Sequence, residues 1–137
     1  MSDLPAGFRE REHTADWQLE VWGPDLPALF AQAAQGMYAL ADAGLKSGPR
    51  QARSLQLNAP DAESLLVAFL EELLFFAESE NLAFDQFHIK IEDHHLEAVM
   101  EGASFSKLSK EIKAVTYHDL SIQQGPRGLE VKIVFDV

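Results

Sequence analysis

The spacing of the apolar residues changes period along this chain, and the order of those changes limits the folds open to it. Trp17, Leu19 and Val21 alternate with Gln18 and Glu20, the two-residue period of a strand with one buried face. After Gly23-Pro24 the spacing switches. Leu26, Leu29, Phe30, Ala33, Met37, Leu40 and Ala41 recur at helical intervals, with Asp25 placed to cap the helix and Gly44 to stop it. Alternation returns at 54–58 through Leu55 and Leu57, until Pro60 ends it.

Asp61 can cap a second helix carrying Leu65, Leu66, Phe69, Leu70, Leu73, Leu74 and Phe76 as a wide apolar stripe. Glu63, Glu71, Glu72 and Glu78 mark its solvent side, so this helix is expected at the centre of the core. From Asn81 onward the period is two. Phe87, Ile89 and Ile91 alternate, then Leu96, Ala98 and Met100, across the polar turn Asp93-His94-His95. The stretch 102–109 is less regular and reads as a loop. Two further strands, 112–123 and 129–137, flank the turn signal Gln124-Gly125-Pro126-Arg127-Gly128.

The order β-α-β-α-β-β-β-β predicts an α+β fold, two helices packed on mostly antiparallel β-sheet, rather than a doubly wound nucleotide fold. At 137 residues, 47% of them hydrophobic, the chain suits a single compact domain, 1–137.

Acidic residues outnumber basic ones 22 to 11, a formal net charge of −11. Binding to phosphate backbones or anionic lipid needs Lys and Arg to replace released counterions, so direct nucleic-acid or membrane binding is not expected. The same field attracts cations and basic protein surfaces. A chain with this exposed acidity is expected to be monomeric. With no cysteine, thiolate nucleophiles, disulfides and Cys-type metal sites are excluded, and any metal must use oxygen or imidazole. No secretion signal opens the sequence and no apolar run is long enough to span a bilayer, so a cytoplasmic location is the expectation.

No glycine-rich phosphate loop, helical pair of metal-binding histidines or nucleophile elbow is present. Two polar segments beside strand ends can still carry chemistry: Glu12-His13-Thr14-Ala15-Asp16 and Ile112-Lys113-Ala114-Val115-Thr116-Tyr117-His118-Asp119. Leu129, Val131, Ile133, Phe135 and Val137 fill one face of the last strand, which puts Asp136 on the other. Asp16 is likewise in phase with Gln18 and Glu20. Taken alone, each acid reads as a solvated strand-end residue. If the first and last strands are neighbours, the two carboxylates share a site and repel, and a bound cation is the usual remedy.

With an oxygen from Val137 such a site suits a hard ion but fills only part of a coordination shell of about 6–8, leaving room for water or a partner. His13 and His118 are candidate ligands or bases, and would shift the preference toward zinc or manganese. Each also reads as an ordinary hydrogen-bonded strand histidine. Trp22 and Tyr117 fall out of phase with the core; each reads either as an exposed aromatic suited to a protein contact or, the commoner case, as cover for the edge of a helix.

The sequence resembles the archeases, small accessory proteins of the RtcB-type tRNA-splicing RNA ligase. The resemblance rests on His13-Thr14-Ala15-Asp16 with Leu19-Glu20-Val21-Trp22-Gly23, on Ile112-Lys113-Ala114-Val115-Thr116-Tyr117-His118, and on Val134-Phe135-Asp136-Val137. It implies a non-catalytic activator that promotes guanylylation of the ligase, in which a ligase histidine attacks GTP, and so permits multiple turnover in tRNA splicing or RNA repair. It also implies a metal site at Asp16, Asp136 and Val137, usually described as calcium, with magnesium or manganese as other oxygen-loving ions.

Glu12, His13, Lys113, Tyr117 and His118 are then candidates for contact with the ligase or for support of the metal ligands. The sequence departs from the family pattern in two places. Glu12 stands where many relatives have Asp, and 103–111 lacks a histidine that relatives often carry. Two other readings remain open: a general chaperone or modulator of RNA-modifying enzymes, and a metal-dependent hydrolase using Asp16, Asp136 and His118.

Overall fold

The computed structural model describes residues 5–12, 16–105 and 111–137. Two antiparallel sheets are joined by two helices that touch both of them. The α+β expectation holds, and the strands divide between two sheets.

Helix α1 (Leu26–Ala41) starts where Asp25 accepts the Ala28 N–H at 2.9 Å, and helix α2 (Ala62–Glu80) starts where Asp61 accepts the Ser64 N–H at 2.7 Å. Both caps fall where the sequence puts them. The stop of α1 does not. Asp42, not Gly44, takes the left-handed conformation (φ 58°), and its N–H bonds to the Ala39 carbonyl at 3.1 Å. A short polar side chain tolerates that conformation well enough to end a helix early. Asn81 ends α2 in the same way, at φ 53°.

The first sheet has the order β3 (Gln51–Asn58), β5 (His95–Ser104), β4 (Leu82–Glu92). Asp93 and His94 both have positive φ, 51° and 61°, as the tight turn of a two-residue hairpin requires. Strand β5 runs on to Ser104, and Phe105 bridges Leu45, so the first residues of the stretch read as a loop, 102–104, continue the sheet; 106–110 lie outside the described residues.

The second sheet is built on β8 (Gly128–Asp136). Strand β2 (Asp16–Gly23) lies along one flank of β8, with β1 (Gly7–Glu12) beyond it. On the other flank lie β6 (Ala114–Thr116) and β7 (Gln123–Gly125), each only three residues long. The single strand expected over 112–123 is thus two short ones, and β1 was not expected at all. In Gly7–Glu12 only Phe8 is a large apolar residue; an edge strand made largely of charged residues carries little periodic signal.

The core lies between the sheets and around the helices. Phe30 of α1 meets Phe69 of α2 with ring centroids 5.7 Å apart, and both are fully buried beside Leu70, Leu73 and Phe135. Each such side chain contributes roughly 1.5–3 kcal/mol on burial. Trp22 is not the exposed aromatic that its phase allows. It is half-buried, with the Arg127 guanidinium 3.9 Å over its ring and Arg9 on it at 6.0 Å.

Candidate metal and docking site

The apolar alternation of β2 and β8 fixes how these strands meet. Leu19 lies opposite Ile133, Val21 opposite Val131 and Trp17 opposite Phe135, and this inward row is buried or half-buried. A slip of one residue would turn every one of these side chains to the wrong face. In this register Asp16 lies directly opposite Asp136. Ala114 of β6 pairs with Asp136 from the other flank, so Asp16, Asp136 and Ala114 form one row across three strands. Strands β2 and β8, from near the two ends of the sequence, are therefore neighbours, the condition that gives the two acids joint meaning.

Asp136 is exposed and its carbonyl accepts the Lys113 N–H at 2.7 Å, which ties the residue before β6 to the same row. Val137 follows and is half-buried against the core. The positions of the Asp16 and Glu12 side chains lie outside the described residues, as does all of His13. Among the described residues, no three of His, Asp and Glu converge on one point as a metal cluster.

Tyr117 and His118 follow β6, whose last residue, Thr116, lies opposite Val134, two rows from Asp136. Tyr117 is 61% exposed, as its phase allows. The His118 imidazole is 3.3 Å from the Asp119 carboxylate on the open surface, and the backbone N–H of His118 donates to the Thr116 hydroxyl at 3.3 Å. His118 is thus placed at the rim and is occupied with its neighbour.

Two features beside this row carry no signal in the sequence. Glu20, opposite Lys132 on β8, is buried although charged, with the Arg127 guanidinium 3.8 Å away. Arg127 also reaches Glu130 at 3.3 Å, and its backbone N–H holds the Glu130 carboxyl below the usual carboxylate range. These contacts form one wall of a groove of about 410 Å³ floored by Val131 and Lys132 and closed by Asp119 and Gln123. The other feature is Glu63 in the first turn of α2. The sequence marks it as a solvent-side residue, yet its carboxylate accepts the Ile122 N–H at 2.9 Å, from a residue 59 positions further along the chain.

Residues 8–137 match the model of the archease protein family (MTH1598/TM1083). The chain is 35% identical to the protein archease of Methanosarcina acetivorans, over 92% of each sequence, and 31% identical to that of Pyrococcus furiosus, over 85% of this chain and 88% of the relative. Its fold is similar to the solution structure of Methanobacterium thermoautotrophicum protein 1598, with a TM-score of 0.71 at 26% identity over 96% of this chain and 99% of that one. It is similar also to a crystal structure from Thermotoga maritima described as an archease, possible chaperone. There the TM-score is 0.69 at 24% identity, over 94% of this chain and 96% of that one. The family match, spanning the row of Asp16 and Asp136 together with all but the first residue of the two sheets, places this chain in the archease family.

Proposed function

We propose that this protein is a non-catalytic, metal-binding activator of an RtcB-type RNA ligase, and that it presents the Asp16–Asp136 end of the second sheet to that enzyme. The observation that carries the reading is the register. Two acids from opposite ends of the chain stand directly opposite each other on neighbouring strands. Like charges so placed are destabilising on their own, and a cation relieves them.

The donor set fits such an ion. Asp16, Asp136 and a main-chain oxygen of Val137 offer only oxygen, which suits calcium and also magnesium or manganese. Three residues supply part of a shell of about 6–8 oxygens, so a partner can complete it. When bound there, the cation supplies positive charge at the edge of an acidic protein, where phosphate oxygens can reach it.

The chain's own residues hold and orient. Lys113 fixes the Asp136 main chain, and Tyr117 and His118, just after β6, are offered to a ligase surface; Glu12 and His13 stay candidates from the sequence for the same contact. The net charge of −11 directs the protein to the basic cleft where a ligase holds RNA and nucleotide. Guanylylation depends chiefly on placing the phosphates and balancing their charge, and the ligase brings its own histidine nucleophile. A small protein without a nucleophile can therefore accelerate it.

Labelling of the ligase with GTP, with and without this protein, tests the reading. The wild-type chain is expected to raise labelling and turnover, and either a chelator or Asp16→Ala or Asp136→Ala is expected to remove the effect while far-UV dichroism stays native. Calcium at a hundredfold excess over its dissociation constant should stabilise the wild type by about 2.7 kcal/mol and Asp136→Ala by far less. Full stimulation by both alanine variants would overturn the proposal.

A further inference from the structure

On the flank of β8 away from β2, one short stretch has no strand beside it among the described residues. On that flank β6 ends on Val134 and β7 begins on Glu130, so only 131–133 separate their partners, yet the six residues 117–122 connect them. At about 3.3 Å per extended residue, the connection has roughly twice the length the gap needs. The surplus stands off the sheet. Tyr117 is 61% exposed, and the His118 and Asp119 side chains are 71% and 88% exposed.

This projection is built, not slack. The Leu120 N–H returns to the Tyr117 carbonyl at 3.1 Å, Asp119 takes a left-handed turn conformation (φ 51°), and Leu120 and Ile122 pack against the core. Its hydrogen bond to another element is the one from the Ile122 N–H to Glu63, 2.9 Å long and partly buried. A carboxylate in the first turn of a helix is favoured there by the helix dipole, and an N–H donating to a charged oxygen makes a strong bond. Glu63 thereby ties the base of the projection to the helix at the centre of the core.

We propose that Glu63 is a positioning residue for docking: it holds Tyr117, His118 and Asp119 in one orientation, so that the ligase meets a preformed tip. The inference rests on the ligase being the partner, as argued above. The tip calls for an apolar socket for the Tyr117 ring, with a basic side chain at its edge for Asp119. Ordering the tip in advance removes a cost that binding would otherwise carry.

Ligase affinity, calcium affinity and amide hydrogen exchange over 117–122, measured on the same samples, test this. Glu63→Ala is expected to weaken ligase binding roughly tenfold and to speed exchange at Ile122, with calcium affinity unchanged. Glu63→Gln keeps an oxygen acceptor and should stay close to wild type. Glu63→Asp keeps the charge at the helix start but falls short of Ile122, and should behave like alanine. Wild-type affinity in Glu63→Ala alongside fast exchange, or equal losses in the alanine and glutamine variants, would overturn the inference. A wild-type protein that fails to bind the ligase sinks the proposed function instead, and hydrogen exchange still decides whether Glu63 orders the tip.

Discussion

The two sheets use the same apolar alternation to opposite ends. In the first, β5 is paired along its whole length by the long hairpin strand β4, with one irregularity between Phe84 and Gln86, and without a break from His95 to Gly102 by β3. In the second, β8 is paired continuously by β2 on one side but only at its two ends by β6 and β7 on the other. The first sheet carries a broad hollow along its strands, lined by Ser54, Gln56, His88, Lys90 and the exposed Val99. The interrupted one gathers the Asp16–Asp136 row, the groove over Lys132 and the Tyr117 tip around a single strand. Continuity serves stability, and the break in pairing makes room for recognition.

This contrast can be broken first at Gly102. A β-carbon there would come within 1.8 Å of the Ala83 carbonyl oxygen, which is backbone and has nowhere to go. Gly102→Ala is expected to cost about 3 kcal/mol or more, read as a fall in the denaturant midpoint, and to loosen the first sheet. A change under 1 kcal/mol would show that this sheet has more give than its pairing suggests.

The matching break in the second sheet is Arg127→Ala. It uncovers Trp22, releases Glu130 and takes away the cation 3.8 Å from buried Glu20. A loss of about 2 kcal/mol is expected, since partly buried pairs count for more than exposed ones but less than a core cavity. Tryptophan fluorescence should report it as a more solvated environment, with calcium binding retained. If calcium binding falls in step with stability, the two ends of β8 are coupled.

The smallest effect expected is that of acid. Asp85 is held below the usual carboxylate range by the Arg50 guanidinium, bonded at 3.1 and 2.5 Å, Asp61 by the Ser64 N–H, and Glu130 by the Arg127 N–H. Groups whose pKa is lowered on folding stabilise fully above their unfolded value near 4 and lose that contribution as the pH falls through the lower folded value. Stability should therefore be flat from neutral pH down to about 5 and decline below about 4. Because these pairs are exposed, the decline should be shallow. Asp85 belongs to the first sheet and Glu130 to the second, so acid should loosen both, whereas Arg127→Ala should flatten the share of the second.

What the sequence discloses follows from where the information is local. The caps Asp25 and Asp61, the core stripe through Leu70 and Leu73, and the Asp93-His94 hairpin are each decided within a few residues, and all stand as read. The burial of Glu20, the cover over Trp22 and the bond from Ile122 to Glu63 depend on residues that meet only after folding. Strand β1 escapes notice because an edge needs charge more than apolar rhythm, and 112–123 misleads because β8, not local propensity, decides how much of it is paired. The Asp16–Asp136 row is intermediate. Phase singles out both residues, while their meeting needed the fold.

Because antiparallel pairing of β2 with β8 sets Asp16 against Asp136, a cation held there as proposed would also be a witness to correct folding. A molecule whose final strand had annealed one place out of step would carry every ligand and still bind nothing. Loading with the ion would thus sort properly finished copies from mispaired ones before either reached the proposed partner.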